Sequence, residues 1–343
     1  MNNLRITCLS EDSDRPTFVE SFCQAPQTLR KEPYRVGLLS PDADALFLTL
    51  PLPVPREFWL AKRDGAVVGR IGASVSGTEP SRGTVGFFEV DPKDEHTGAA
   101  LLSTSLAWLR DRGAKAAYGP IHINTWFPYR FRVGGTDERN YSWEPVNPPQ
   151  YPRMFEAAGF ARDQLYHSEL MNDLSSIWRS FRGGYEKAVA AGYSFRPVDT
   201  LSGLDKEIPI LYRLSVEGFV NNHLFEPIPE QVFRWLYVAQ ARKRKAVGCF
   251  FVCHPSDGEV GFVISFADEE GQFIVKTLVV LPTHQGHGLS LGLLHESYGA
   301  AIEHGYDSAV GALIQIGNRS EASSRRTTLS WQHEYALYRK AIA

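Results

Sequence analysis

The residues best able to do chemistry stand together in one stretch: Val280-Leu281-Pro282-Thr283-His284-Gln285-Gly286-His287-Gly288-Leu289-Ser290. It reads as a strand end, a glycine loop and a helix start. Glycines let backbone N–H groups approach a ligand with no Cβ in the way, and the helix start adds a positive dipole. The stretch therefore suits a pyrophosphate, although a tight turn needing glycine for geometry alone has the same pattern. A second group is Cys249, Cys253 and His254 in an apolar, strand-like run. A zinc site there lacks further ligands, so the expectation is buried reduced thiols and no metal.

An internal repeat positions these residues. Val68-Gly69 and Val260-Gly261, Gly113 and Gly305, and Gly119 and Gly311 each lie 192 residues apart, and Asp64-Gly65 precedes Asp257-Gly258 by 193. In each half a hairpin turns at Asp-Gly, whose residues tolerate positive φ. Phe58 to Ala61 pairs with Ala66 to Val75, and Cys249 to Cys253 with Val260 to Phe266. A strand then ends at Val90 or Val280, a helix closes at Gly113 or Gly305, and a further strand follows, Ala116 to Gly119 or Ser308 to Ile316. Leu102, Leu106 and Leu109, and Leu294, Tyr298 and Ile302, are spaced for burial against a sheet. The second half adds helices at Ile208 to Phe219 and Glu230 to Lys243, where the first half reads as irregular and broken by Pro51, Pro53 and Pro55.

The expected fold is α+β: two domains, each a mostly antiparallel twisted sheet flanked by helices. They cover residues 1–172 and 192–343, with a helical linker over 173–191. The loops differ between copies. Val90-Asp91-Pro92-Lys93-Asp94-Glu95-His96-Thr97-Gly98 is shorter and acidic, so the first copy repels the anion that the second attracts.

Composition limits the partners. The chain has 343 residues, with 36 Lys plus Arg against 39 Asp plus Glu and a net charge of −3, so no global basic field holds a nucleic acid. The apolar run Ala246 to Cys253 is far short of the roughly 20 residues that span a bilayer, and no secretion signal is read. A cytoplasmic protein without membrane contact is the expectation.

The order of hairpin, strand ending in V-x-P, Gln285-Gly286-His287-Gly288 loop, apolar helix and strand resembles the GNAT superfamily of acyl-CoA-dependent N-acyltransferases, as a tandem pair. Gln285 and Gly288 meet the Q/R-x-x-G-x-G/A signature, with Ser290 in place of its last small residue. Phe155 to Phe160 resembles the late helix-to-strand element of such domains. The resemblance implies acetyl-CoA or another acyl-CoA as co-substrate, its pyrophosphate on the amides of Gly286, His287, Gly288, Leu289 and Ser290. Pantetheine then follows Leu278, Val279 and Val280, a strand that splays from the next. It matches Asn318 to a cofactor-proximal asparagine, which reads equally as a helix cap. The tyrosine acid usual on the following helix is missing. Tyr335 and Tyr338 are the nearest substitutes, Tyr338 resembling a terminal tyrosine of tandem members.

For the acceptor, a small-molecule amine, Trp126, Tyr129, Arg130 and Glu144 form an aromatic and charged cluster, with Arg130 suited to a carboxylate and Glu144 to an ammonium. A domain interface accounts for the cluster equally well. Asn222 borders the acceptor or caps a turn. The implied function is N-acyl transfer to a small metabolite. Alternatives are a non-catalytic acyl-CoA-binding or sensing protein and a Fem-type aminoacyl transferase. Gly288→Asp is expected to abolish CoA binding, and substitution at Gly98 to spare it.

Overall fold

The structure, a computed structural model, describes residues 3–35, 39–135, 141–317 and 329–342, with backbone only at 239–243. Asn318 lies outside the described residues. The chain forms two compact units. The first comprises Met1–Gly134, Trp143–Leu165 and Glu334–Ala343, and the second Gly135–Ser142 and Tyr166–His333.

In chain order the first half contributes β1 (Leu4–Cys8), α1 (Arg15–Leu29), α2 (Pro41–Thr49), β2 (Arg56–Arg63), β3 (Ala66–Val75), β4 (Arg82–Val90), α3 (Glu95–Asp111), β5 (Ala116–Gly119), β6 (Phe131–Gly135), α4 (Gln150–Ala157) and β7 (Ala161–Met171). The second contributes α5 (Leu174–Ala190), β8 (Ser194–Pro197), α6 (Leu204–Phe219), α7 (Glu230–Lys243), β9 (Lys245–Ala246), β10 (Phe250–His254), β11 (Gly258–Ala267), β12 (Phe273–Val280), a 3-10 turn (Pro282–His284), α8 (Leu289–Glu303), β13 (Ala309–Gln315) and β14 (Leu329–Ala341).

The first unit's strands run in the order β1-β2-β3-β4-β5-β14, the second's in the order β7-β13-β12-β11-β10-β8. Each sheet is antiparallel except for one parallel pair, β4 with β5 and β12 with β13. The repeat is thus real in three dimensions. Both Asp-Gly hairpins form, and both helices end two residues before glycines at φ +84 (Gly113) and +87 (Gly305), the left-handed conformation that frees the helix end.

Three expectations need correction. The region before the first hairpin is helical: Asp14 accepts from the Thr17 amide and Ser40 from the Ala43 amide, capping α1 and α2 ahead of the prolines. Residues 174–190 are no linker. Leu174, Ile177 and Phe181 are buried with Leu294, Tyr298 and Ala301 of α8 in the core of the second unit. The domain limits also shift, because the last residues of the chain complete the first unit: β14 pairs with β5 at Tyr338↔Gly119 through Ala341↔Ala116.

The first core is centred on Leu101, Leu102, Phe155 and Tyr338. Beside it the Arg70 guanidinium donates to Asp44 at 2.5 Å, with only 3% and 2% of the two side chains exposed. Removing one partner strands a buried charge. Asp44→Ala is expected to cost about 3–5 kcal/mol in urea unfolding, whereas a surface ion pair costs almost nothing.

Candidate functional site

The site is built where β12 meets α8. The ladder between β12 and β13 consists of Ile274↔Val310 and Val275↔Gly311, and the strands part beyond it. Opposite the same point β12 carries an extra residue: Ile264 pairs with Thr277 and Ser265 with Val275, so Lys276 is the bulge. Bulges turn a strand and re-aim a side chain, and here the bulge coincides with the divergence.

At the far end of β12 the glycine loop delivers the chain to α8. Gly286 and Gly288 hold φ +91 and +80, and Gly288 is the N-cap, with no side chain capping the helix. The first turn contains no acid, and Ser290 is exposed. Backbone amides at an uncapped helix start, together with the helix dipole, favour an anion. Two contacts fix its shape. A Cβ on Gly288 would come within 2.5 Å of the Gly184 carbonyl of α5, so this glycine also serves helix packing. Lys187, one turn further along α5, donates its Nζ to the Gly286 carbonyl at 2.8 Å and sets a cation at the loop.

In the first unit the equivalent places are filled. Asp94 caps α3, accepting from the Thr97 amide at 3.1 Å and pairing with Arg63 at 2.8 Å, so a carboxylate occupies the anion position. Tyr151 closes the strand end: its hydroxyl accepts from the Val90 amide at 3.1 Å and reaches the Val90 carbonyl at 2.8 Å. The bulge is kept, between Arg70 and Gly72 on one side and Glu89 and Gly86 on the other, but it is packed with Phe87 against His122 at 4.0 Å between ring centroids. Burial, then the cations Arg70 and Arg30, lowers His122 to about 3, so the ring is neutral. Ile121 donates to the Val85 carbonyl at 2.8 Å and fills the space beside β4.

Lys276 stays accessible to water but is closely surrounded by protein, and desolvation, followed by the charge of Arg244, lowers its amine to about 8. Its Nζ lies 5.7 Å from the ring centroid of Tyr237 on α7. Burial pushes the Tyr237 phenol up to about 12, with Ser215 and Thr277 opposing the shift. A bulge has no signature in a β-rich run, so sequence patterning does not single out Lys276. Tyr237 and Lys187 had no signal at all.

The cofactor residues expected from sequence, Leu278 to Val280 and Gln285 to Ser290, are contiguous along β12, the loop and α8. Asn222 is exposed and accepts from the Phe225 amide at 3.0 Å in a turn after α6. The remaining residues belong to the first unit. Tyr335 is fully buried and donates to Glu144 at 2.5 Å, and Tyr338 is fully buried with its hydroxyl 3.2 Å from Glu156. Packing accounts for both tyrosines, and the proton-donor expectation is corrected. Glu144 is 3% exposed with Arg132 at 3.9 Å, and Arg130 is 5% exposed and stacked 3.7 Å over the Tyr129 ring. Trp126 donates its backbone N–H to Asn124 in the same turn-rich segment. Engagement of this kind leaves the cluster structural rather than open to an acceptor. A cavity of about 560 Å3 beside Phe273 and Trp331, at the start of β12, includes none of these residues.

No helix among the described residues is long and apolar enough to cross a membrane. No protein-family model matches the chain. Protein YghO of Escherichia coli K12 is 30% identical over 189 residues, which are 52% of this chain and 46% of that protein, so the match spans about half of each. Among solved structures, a tandem GNAT protein from the clavulanic acid biosynthesis pathway superposes with a TM-score of 0.57 at 14% identity, covering 99% of both chains. A probable N-acyltransferase from Enterococcus faecalis V583 gives 0.60 at 10% identity, over 100% of this chain and 73% of that one. A GCN5-related N-acetyltransferase from Sphaerobacter thermophilus gives 0.51 at 16% identity, over 98% and 96%. With its two parallel strand pairs, each followed across by a helix and one of them left open beside a bare glycine loop, the chain has the fold of the tandem GNAT acetyltransferases.

Proposed function

We propose that the second unit binds an acyl-CoA and transfers its acyl group to the amine of a small metabolite. One observation carries the reading: the uncapped glycine start of α8 lies at the end of a strand that parts from its parallel neighbour after two residue pairs. Amides of Gly286 to Ser290 hold the pyrophosphate, with Lys187 adding charge. Leu278 to Val280 offer backbone groups to the pantetheine. When bound, the thioester supplies an activated acyl group.

Lys276 handles the proton. An amine acceptor arrives largely as an ammonium ion and attacks only when neutral. The Lys276 amine takes that proton, the acceptor nitrogen bonds to the thioester carbon, and the carbon–sulfur bond breaks. The Lys276 ammonium then returns the proton to the departing thiolate, whose thiol has a pKa of about 8.5, close to its own. The second proton of the acceptor nitrogen is released to water, so the products are the amide, free CoA thiol and one proton, and Lys276 ends neutral as it began. The Tyr237 ring beside Lys276, 5.7 Å from centroid to Nζ, limits the positions open to the amine.

Titration calorimetry with acetyl-CoA and with CoA tests the binding step. Saturable one-to-one binding of both is expected. Absence of heat and of competition with a fluorescent CoA analogue would remove the proposal.

A further inference from the structure

Three side chains that the transfer reaction does not use converge beneath the glycine loop. His254 ends β10, Asp257 sits in the hairpin turn that follows, and His284 closes the 3-10 turn ahead of Gln285. The Asp257 Oδ2 is 3.1 Å from the His254 Nδ1 and 3.3 Å from the His284 Nε2, and one ligand atom from each residue lies within 4.8 Å of the others. We propose that these residues form a binding site for one divalent transition-metal ion of the zinc type.

The spacing fits such an ion. Ligand bonds of about 2.0–2.1 Å at tetrahedral angles separate neighbouring donor atoms by roughly 3.3 Å, close to both contacts to Asp257. Two imidazoles and one carboxylate are the donor set of an open zinc site, with water in the fourth position. The outer contacts also suit it. Tyr193 lies 2.9 Å from the His284 Nδ1, so that nitrogen is engaged and Nε2 is turned toward Asp257. Ser256 donates to the second carboxylate oxygen, Asp257 Oδ1, at 2.6 Å. Such partners fix tautomer and orientation. His284 is 11% exposed, His254 29% and Asp257 49%, so the site is held on one side by protein and open to solvent on the other. Partial access leaves room for the water and for entry of the ion.

The ion ties the β10–β11 turn to the residue directly before the glycine loop. Its place therefore couples metal occupancy to loop order without requiring it for transfer.

The full-length, tag-free protein, stripped with EDTA and exchanged into metal-free buffer, is titrated with ZnCl2 by calorimetry and with CoCl2 by visible absorption. One equivalent of each is expected to bind, with intense absorption bands from tetrahedral Co2+ and a raised melting temperature with Zn2+. His254→Gln and His284→Gln are each expected to weaken Zn2+ binding by at least about a hundredfold, and Tyr193→Phe by about tenfold, the effect of an outer partner. Melting curves of the stripped variants establish that they fold. No saturable binding to the native protein overturns the proposal, as does an isotherm unchanged in both folded histidine variants.

Discussion

Ser290→Glu is expected to weaken CoA binding by at least about a hundredfold while leaving the melting temperature unchanged or slightly raised. The two effects have one cause. Ser290 is the second residue of α8, exposed, in a first turn without acids or a side-chain cap. A carboxylate there faces the free amides and the positive helix end, which stabilises a helix by about 0.3–1 kcal/mol. The same carboxylate repels a pyrophosphate on those amides, and like charges brought together cost several kcal/mol, more than the 2.8 kcal/mol of a hundredfold change in affinity. Calorimetry and a melting curve on one sample read both. Unchanged affinity in a folded variant would place the cofactor elsewhere.

Gly288→Asp, the substitution that sequence reasoning favours, is less informative. A Cβ at that position meets the Gly184 carbonyl at 2.5 Å with φ at +80, so lost binding could report lost packing between α5 and α8. Gly98 is no neutral control either. A Cβ there comes within 2.9 Å of the Met154 sulfur inside the first core, and whether the methionine moves decides the outcome.

Much of the scaffold was legible because the chain states it twice. The Asp-Gly turns, the strand ends at Val90 and Val280 and the capping glycines all recur at nearly one interval, and each has a local steric reason. The glycine loop occurs in only one copy and is legible for a different reason, since glycine pairs between a strand end and a helix start form a purely local pattern. What escaped depends on contacts between distant residues. Nothing near Tyr338 announces that the last strand pairs with Ala116–Gly119. The linker reading of 173–191 failed because a buried helix and an exposed one share a period, and only the partner face on α8 tells them apart. The cluster of His254, Asp257 and His284 has no local signature either, because its members come from a strand end, the following turn and the far side of β12.

Lys276→Met is expected to lower kcat/KM for amine acylation by about a hundred- to a thousandfold, the usual share of a positioned base, with CoA affinity unchanged. The bulge that presents Lys276 and the divergence of β12 from β13 occur at the same residues, so the amine and the opened strand edge are products of one backbone feature. Its lowered proton affinity, at about 8, sets the sign of the pH dependence. The neutral amine is the active form, so native activity rises with pH and levels off above about 8. With methionine that plateau disappears, and the rate climbs roughly tenfold per pH unit until the acceptor itself is deprotonated. Arginine, which never releases its proton in this range, fails as completely as methionine, which separates proton transfer from charge. Lys276 is exposed, so methionine there is expected to leave the fold intact, and a melting curve checks this. Release of CoA thiol with the best amine of a panel, followed across pH for the native protein and both variants, decides the matter. A methionine variant with the native plateau would show that Lys276 carries no proton in the reaction.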